Sequence, residues 1–337
     1  MNYLEMLENS KKNIGEFCKV CKECNGISCK GKIPGPGGKG LGLGFIRNYE
    51  DLRKIRLNMD TVYLNKGTNT EIELFGKKFK YPVFAAPVGG VQIHYSDLYN
   101  DLTYSKAVIN GCHKAGTIAF TGDGVKDEVF TGTLKAIKAN DGWGVPTIKP
   151  WSKEEVIKKI KLSENAGAFA VAMDIDAAGL SILAAQGKPV SPLSKEDLKE
   201  IVNSTKLPFI LKGVMSANVA RKAIEAGVYG VIVSNHGGRV LDETPSTIEV
   251  LPEIVEEVQG KIKVFIDGGF RSGIDVFKAI ALGADAALIA RPYAISVYGA
   301  GEEGVELYTE KIGRELAEAM IMTGASNLSE IDEDKIR

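Results

Sequence analysis

The chain has 337 residues, of which 44% are hydrophobic and 25% charged, the composition of an ordinary globular protein. Its 42 lysines and arginines against 43 aspartates and glutamates give a formal net charge of −1, which argues against a role on nucleic acid or a membrane surface. No apolar stretch approaches the ~18 residues of a membrane span, and the segment Met1 to Lys12 is too polar for a signal peptide. We therefore expect a cytoplasmic protein.

Four of the five cysteines fall within one short window and occupy positions Cys18, Cys21, Cys24 and Cys29. In an intracellular protein such clustering favours ligation of an iron–sulfur cluster or a zinc ion over disulfides. The run lacks the proline that follows the last cysteine of the bacterial ferredoxin pattern. The alternative is that the first three cysteines share one helix face as reduced small hydrophobic residues. The fifth, Cys112, is expected in the core.

Residues 1–60 are predicted to be mostly helical, with an interruption by the glycine-rich run at 33–44. That run matches neither the P-loop nor the dinucleotide-binding fingerprint, because no strand precedes it and no Gly-Lys-Ser/Thr opens a helix. It is expected to be a mobile loop or, alternatively, a lid over the active site. Residues 61–80 alternate like a hairpin and predict a small cap across the bottom of the following domain.

From Pro82 onward, short apolar strands alternate with amphipathic helices. The predicted strands are 82–86, 117–121, 145–148, 169–174, 208–212, 230–233, 263–266 and 286–289. The predicted helices lie near 99–115, 126–139, 152–166, 194–203, 216–226, 246–259 and 272–283. This alternation predicts an α/β fold of the (β/α)8 TIM-barrel type, in which an N-terminal Cys/Gly-rich extension at 1–60 precedes a barrel at 61–337.

Two segments concentrate chemistry at predicted strand ends, Ser234-Asn-His-Gly-Gly-Arg239 and Asp267-Gly-Gly-Phe-Arg271. Active sites of such barrels lie at the carboxyl ends of the strands. His236 can exchange a proton near neutral pH, and Arg239 can hold an anion through two parallel contacts. The adjacent glycines would let backbone amides approach a phosphate. The pattern indicates proton abstraction from an anionic substrate beside a phosphorylated cofactor.

Further charged side chains end other strands of the predicted barrel. Asp174 and Lys212 each close a strand, and Arg291 follows the last one. Unpaired charge in a barrel mouth costs stability, so this concentration exceeds what folding needs. The alternative is a structural ring of ion pairs.

These segments resemble the FMN-dependent α-hydroxy-acid oxidases and dehydrogenases over roughly residues 82–325. The resemblance rests on Leu211-Lys-Gly213, Ser234 to Asp242, Asp267 to Ala279, Leu282-Gly-Ala284 and Ala290-Arg-Pro292. It implies bound FMN, oxidation of a 2-hydroxy acid to the 2-oxo acid, and a homotetramer.

The resemblance also implies a function for each site residue. His236 would be the base, Asp174 would hold its imidazole, and Arg239 would bind the substrate carboxylate. Lys212 would lie beside the flavin N1 and O2 atoms, and Ala86 beside its N5 edge. Asp267 would bind the ribityl chain. The phosphate would be held by Gly269, Arg271, Ala290 and Arg291. The remaining residues expected around the cofactor are Pro87, Thr121, Thr147, Ser234, Gly237 and Gly268.

The departures from the family pattern concern the substrate. Lys149 occupies the place of a family tyrosine, and no arginine lies between Asp174 and Lys195, where the family carries a second substrate-binding arginine. One hypothesis is that Lys149 supplies the missing cation for a 2-hydroxy acid of larger size. A second is that the FMN barrel serves NAD(P)H-dependent flavin reduction or a reaction like that of isopentenyl diphosphate isomerase. A third is an electron-transfer flavoprotein that uses the N-terminal metal cluster; the electron acceptor stays open.

Overall fold

Eight parallel strands form the centre of the molecule in a computed structural model that describes residues 1–180, 183 and 185–337. The strands are β3 (Val83–Ala85), β4 (Phe120–Thr121), β5 (Val145–Ile148), β6 (Val171–Asp174), β7 (Phe209–Val214), β8 (Gly230–Val233), β9 (Lys263–Asp267) and β10 (Ala286–Ile289). The sheet order runs β3-β10-β9-β8-β7-β6-β5-β4, and a bridge between Ala85 and Ala119 closes the ring. The predicted (β/α)8 barrel is confirmed.

Helices follow the strands around the outside of the barrel. They are α3 (Val91–His94), α4 (Asp101–Lys114), α5 (Asp127–Lys138), α6 (Lys153–Asn165), α7 (Lys195–Asn203), α8 (Ala217–Ala226), α9 (Thr247–Val258), α10 (Gly273–Ala281) and α11 (Arg291–Thr323). The side chains of Ser152 and Ser194 cap α6 and α7, because each accepts a hydrogen bond from the backbone amide of the third residue of its helix. Among the described residues, no helix is both long and apolar enough to cross a membrane.

A two-stranded hairpin closes the amino-terminal end of the barrel. It consists of β1 (Ile72–Leu74) and β2 (Lys77–Phe79), which pair antiparallel. Phe75 stacks on Phe265 of β9 at a centroid distance of 6.0 Å, and Phe79 meets Phe84 of β3 edge-on at 5.2 Å. The hairpin thus seals the apolar interior of the barrel, which confirms the predicted cap.

The N-terminal segment is less helical than predicted. Helices α1 (Tyr3–Asn13) and α2 (Leu43–Lys54) flank a long stretch without regular structure apart from one 3-10 turn at Ile27–Cys29. The prediction that the interruption covers only 33–44 is therefore wrong, since the irregular chain begins at Ile14 and α2 begins at Leu43. Six glycines with positive φ lie between positions 15 and 42, among them Gly15 and Gly26, and this conformation does not fit a right-handed helix. The single-face helix alternative for the cysteines is excluded.

The extension packs on the barrel rather than standing apart from it. Tyr3 of α1 stacks on Tyr308 of α11 at 6.3 Å, and the Asn13 amide donates to the Tyr298 carbonyl at 3.0 Å. In α2, Asn48 and Asn235 exchange side-chain hydrogen bonds of 2.7 and 3.1 Å. These contacts hold the loop between the two helices over the mouth of the barrel.

Candidate active site

A cavity of about 490 Å³ opens where the carboxyl ends of the barrel strands meet. Its size falls within the ordinary range for small-molecule and cofactor sites. Most of the residues predicted from the sequence line it: Ala86, Pro87, Thr147, Lys149, Asp174, Lys212, His236, Gly237, Arg239, Asp267, Gly268, Gly269, Arg271, Ala290 and Arg291. Thr121 and Ser234, also predicted around the cofactor, are buried and are not among the lining residues. The barrel therefore brings together residues that the sequence spreads over many strand ends.

His236, which follows β8, faces two carboxylates at the end of β6, two strands away in the barrel. Its Nδ1 lies 2.9 Å from Oδ1 of Asp176 and 3.4 Å from Oδ2 of Asp174. The family resemblance predicts Asp174 as the partner of this imidazole, but the shorter contact comes from Asp176, which is not among the predicted site residues. A signal was available, because Asp174-Ile-Asp176 places a second carboxylate just beyond the end of β6.

A bulge in β7 makes room for Asp176. The pairing of β7 with β8 shifts register between Lys212 and Val214, and Gly213 between them has φ of 101°. A Cβ at Gly213 would lie 2.8 Å from the Cβ of Asp176. Only glycine fits this position, so the Lys-Gly pair of the sequence allows both the lysine and the carboxylate to reach the mouth.

Asp174 is the centre of a buried ion-pair network. Its Oδ1 accepts a hydrogen bond from Lys212 Nζ at 2.9 Å, and its Oδ2 from Lys149 Nζ at 2.8 Å. Burial alone would raise the pKa of Asp174, but the charges of His236, Lys149 and Lys212 hold it well below its ordinary value. Burial also opposes the charge on Lys212, yet Asp174, Asp176 and Asp267 keep its pKa above normal. The network keeps both groups ionised.

Lys149 faces the cavity as predicted, but its charge is already matched by Asp174. The lysine is only 12% exposed, and the paired carboxylate 4%. The backbone amide of Lys149 donates to Asp123 Oδ2 at 3.1 Å, and Asp123 also accepts from Trp151 and Lys159. Asp123, which the sequence analysis missed, thus anchors the end of β5.

Asp174, Asp176 and His236 offer ligand atoms close enough to bind a metal ion. Two lysines already neutralise Asp174, and one of them also acts on Asp176. A divalent cation would have to displace or tolerate these charges. The two carboxylates therefore suit contact with the His236 imidazole better than binding of a metal ion.

Three arginines at the cavity have no carboxylate partner among the described residues, namely Arg239, Arg271 and Arg291. Burial lowers the pKa of Arg239, and burial together with the charge of Arg239 lowers the pKa of Arg291 to about 10. Buried cations without counter-ions are costly unless a ligand supplies the negative charge. The cavity is therefore built for an anionic ligand.

These arginines also hold the glycine-rich run over the mouth. Arg239 Nη1 donates to the carbonyls of Gly35 and Gly37 at 2.7 and 2.9 Å, and Arg291 Nε donates to Pro36 at 2.6 Å. Ile33 and Pro36 line the cavity. The run therefore covers the site, as the lid alternative predicted.

The side chains of the cavity suit the predicted FMN. Thr147 Oγ1 and Asp267 Oδ1 are buried without a hydrogen-bond partner in the described part of the chain, although both residues line the cavity. Such orphaned oxygens call for a polar ligand. Together with the unpaired arginines they match a molecule with a polyhydroxyl chain and a phosphate.

The glycines of Asp267-Gly-Gly line the cavity and also have a packing reason that the sequence did not show. A Cβ at Gly269 would lie 1.9 Å from the Asn48 carbonyl oxygen, and one at Gly268 would lie 2.7 Å from the Asn48 amide nitrogen. Both positions have positive φ. They are glycines because α2 packs directly against them, which the sequence alone could not reveal.

His94 is a second histidine at this cavity. Its Nδ1 accepts a hydrogen bond from the Gly35 amide at 3.3 Å. Burial, with the charges of Arg239, Lys149 and His236, lowers its pKa to about 3. His94 is therefore neutral at physiological pH. Cys112 is fully buried in the core, as expected, and His113 stacks on Trp143 away from the site.

The four clustered cysteines line a separate small cavity of about 20 Å³, which we call the cysteine pocket. The residues that line this pocket are Cys18, Lys19, Cys21, Cys24, Asn25, Gly26, Ser28, Cys29, Pro36, Tyr95, Arg291 and Ile295. The predicted ligand set is thus brought together in space. Burial raises the pKa of Cys18 to about 12. Pro36, Tyr95 and Arg291 belong to the walls of both cavities.

Comparison with known proteins identifies the relatives of this chain. The model of a family described as FMN-dependent dehydrogenase matches residues 36–186 and 180–337. 2-Hydroxyacid oxidase 1 of Homo sapiens is 44% identical over 163 residues, which are 48% of this chain and 44% of that protein. Glycolate oxidase 3 of Oryza sativa subsp. indica is 45% identical over 152 residues, or 43% of this chain and 41% of that protein. The matched stretch spans less than half of either relative.

Solved structures extend the similarity over the whole chain. A mandelate oxidase crystallised with 3,3-difluoro-2-hydroxy-3-phenylpropionic acid is 25% identical, with a TM-score of 0.81 over 100% of this chain and 98% of that one. A point variant of mandelate oxidase, crystallised with 4-Br-2-hydroxy-methylphenylacetate, is 28% identical, with a TM-score of 0.75 over 87% and 90%. The likeness therefore includes the segment that covers the barrel mouth.

Proposed function

Because the chain belongs to the FMN-dependent dehydrogenase family, we propose that it oxidises a 2-hydroxy acid to the 2-oxo acid, with FMN held at the mouth of the barrel. The observation that carries the proposal is the set of three cavity arginines without a carboxylate partner among the described residues, beside an imidazole held by two carboxylates. An anionic substrate and a phosphorylated cofactor supply the missing charge.

His236 acts as the base in this proposal. It accepts the proton that leaves the substrate, and Asp176 and Asp174 stabilise the resulting imidazolium from 2.9 and 3.4 Å. Arg239 binds the substrate carboxylate, because it faces the cavity and its pKa is lowered by burial rather than supported by a counter-ion. Lys149, paired with Asp174, contributes a second positive charge at this wall.

Another group of residues holds the cofactor. FMN, when bound, supplies the acceptor for the two electrons that leave the substrate. Arg271 and Arg291 bind its phosphate, Asp267 binds the ribityl hydroxyls, and Lys212 places its charge beside the flavin ring. Ala86 and Thr147 line the wall against which the ring rests.

The cavity also indicates the size of the substrate. Its wall includes the apolar side chains of Ile33, Ile93, Val125 and Leu180. A small acid such as lactate would leave these groups without a partner, whereas an acid with an apolar side chain buries them. We include in the proposal a 2-hydroxy acid with a bulky apolar side chain. A homotetramer in the cytoplasm remains the prediction for the assembly and its location.

Anaerobic mixing of the FMN-loaded protein with a panel of 2-hydroxy acids tests the proposal. At least one acid should bleach the flavin absorbance, and acids with large apolar side chains should do so at lower concentration than lactate. His236→Ala should slow bleaching by about 10²- to 10⁴-fold while FMN stays bound. His113→Ala, whose ring stacks on Trp143 outside the site, is the matched control. If NADH or NADPH bleaches the flavin and no acid does, the barrel performs other chemistry.

A further inference from the structure

The cysteine pocket has the features of a metal centre. It lies beside the 490 Å³ cavity at the barrel mouth, which we call the flavin cavity. We propose that Cys18, Cys21, Cys24 and Cys29 bind an iron–sulfur cluster there, and that this cluster takes electrons from the flavin site. The first part stands on the cysteines alone. The second part rests on the proposed function.

The cysteines are placed as a cluster needs them. All four come from one short segment and line the same cavity, with Cys21 exposed and the other three partly buried. Because Zn–S bonds are about 2.3 Å, a tetrahedral zinc ion needs sulfurs within ~4 Å of one another. Among the described residues, no three cysteine sulfurs lie within 4.8 Å of one another. A cuboidal cluster holds its thiolates further apart, because four iron atoms lie between them, so a cluster is compatible with sulfurs that are not close enough for zinc.

The surroundings of the sulfurs also suit a negatively charged cluster. Arg291 lines the cysteine pocket together with the four cysteines, and it has no carboxylate partner among the described residues. A cation beside thiolate sulfurs stabilises the negative charge of such a cluster. Val20, between Cys18 and Cys21, adopts a positive φ of 45°, a conformation that a β-branched residue rarely adopts.

The cysteine pocket lies directly against the flavin cavity. Arg271 donates two hydrogen bonds to the Cys24 carbonyl, at 3.0 and 2.8 Å, and the same residue lines the flavin cavity. Arg291 borders both spaces. The two sites are therefore separated by single side chains, a distance over which electrons pass readily.

The electron balance follows from the proposed reaction. Each 2-hydroxy acid loses two electrons and two protons as its C–H and O–H bonds break and a carbonyl bond forms. The protons pass to solvent, one of them through His236. A bound cluster would accept these electrons one at a time and would give each to an external one-electron carrier, for which ferricyanide serves as a probe. One acid therefore reduces two ferricyanide ions.

Metal content tests the site itself. Anaerobically purified FMN-loaded protein should contain iron and acid-labile sulfide in equal amounts, about four of each per chain for a [4Fe–4S] cluster. Cys21→Ser, at the exposed position, should lose at least half of the iron while its FMN content shows that the fold persists. Ser28→Ala, which lies in the same pocket wall but replaces no ligand, should keep the iron. Zinc without sulfide, no metal, or full iron in both Cys21→Ser and Cys24→Ser overturns the proposal.

Electron paramagnetic resonance tests the link to the flavin site. Anaerobic addition of the acid that bleaches the flavin should produce the signal of a reduced cluster, and His236→Ala should not show it with acid although dithionite still elicits it. A bleached flavin beside a cluster that the acid leaves oxidised overturns electron transfer but keeps the cluster. If no acid bleaches the flavin, the proposed function and the electron transfer both fail, and the metal content still decides the site.

Discussion

Among single residues, Asp176 is the unpredicted partner of the imidazole of His236. Its Oδ1 is the nearest carboxylate oxygen to His236, and its Oδ2 is buried without a partner in the described part of the chain. Burial raises the pKa of Asp176, against the effect of Lys212. The side chain of Asp176 contacts mainly the imidazole of His236, whereas Asp174 also forms ion pairs with two lysines.

Asp176→Asn should therefore lower kcat by at least about tenfold and leave KM within a factor of about two, because an amide cannot stabilise the imidazolium as a carboxylate does. Stopped-flow bleaching and FMN content measure this. Asp174→Asn is the comparison, since it removes the partner of two buried lysines and should also lower the free energy of unfolding. Equal kcat in Asp176→Asn and the parent protein would show that Asp176 has only a structural effect.

The two cations at the substrate wall differ in their existing partners. Arg239 donates to loop carbonyls, and Lys149 is paired with Asp174. Arg239→Met should raise KM for the acid by about 10- to 150-fold, the equivalent of about 1.5–3 kcal/mol for a charged hydrogen bond. Lys149→Met should also raise KM, but by less, because the charge of Lys149 is already partly neutralised by its ion pair with Asp174. Steady-state kinetics with ferricyanide rank the two, and an unchanged KM in Lys149→Met removes that residue from the substrate site.

On the scale of elements, the carboxylate of Asp242 holds the end of the glycine-rich run, in addition to the arginines that bind its middle part. Asp242 accepts hydrogen bonds from the backbone amides of Leu41, Gly42 and Gly44 at 2.7, 3.1 and 3.1 Å. These hydrogen bonds join the loop after β8 to the start of α2. They therefore link the mouth of the barrel directly to the glycine-rich run that covers it, which we call the cover.

Asp242→Ala should loosen this cover. Loss of a charged acceptor for three amides costs at least about 1.5 kcal/mol, so FMN should dissociate about tenfold more readily. Limited proteolysis should cut faster within residues 33–44. Asp332→Ala, which removes a single exposed bond to the Asp334 amide, is the control. Cleavage and FMN affinity like those of the control would mean that the arginines alone hold the cover.

The hairpin at the other end of the barrel contributes to stability without contacting the flavin cavity. Phe79 is 1% exposed and packs against Phe84, Trp143 and Phe75. Phe79→Ala should lower the free energy of unfolding by about 3–5 kcal/mol, because it leaves a cavity in the barrel interior. Urea denaturation measures this, and the FMN affinity below the transition should be unchanged. Weaker FMN binding would show that the two ends of the barrel are coupled.

At the scale of the whole molecule, the formal charges nearly cancel, yet unmatched positive charge is concentrated at the barrel mouth. FMN carries a phosphate that riboflavin lacks, so riboflavin should bind at least about 100-fold more weakly to the apoprotein. Raising the salt concentration should weaken FMN more than riboflavin. Flavin fluorescence titration measures both. Arg291→Met should reduce the difference between the two flavins, and equal affinities would place the phosphate elsewhere.

Much of this architecture could be read from the sequence, because it depends on local periodicity. The eight strands and the helices between them follow from alternating apolar runs and cap residues such as Ser152 and Ser194. The position of His236, Asp174 and Lys212 at the mouth follows equally, since a residue that ends a parallel barrel strand must face that end. The close spacing of Cys18, Cys21, Cys24 and Cys29 predicted that they lie together, and the four line one pocket.

Only the tertiary structure decided which of these groups touch each other. The pairing of His236 with Asp176 depends on a β7 bulge, and the reason for Gly268 and Gly269 is the packing of α2 from a distant part of the chain. The long irregular segment before α2 has no periodicity to read, so its course over the mouth is set by hydrogen bonds to Arg239, Arg271 and Arg291. Contacts between residues some 200 positions apart are determined by the assembled barrel, because no local pattern records them.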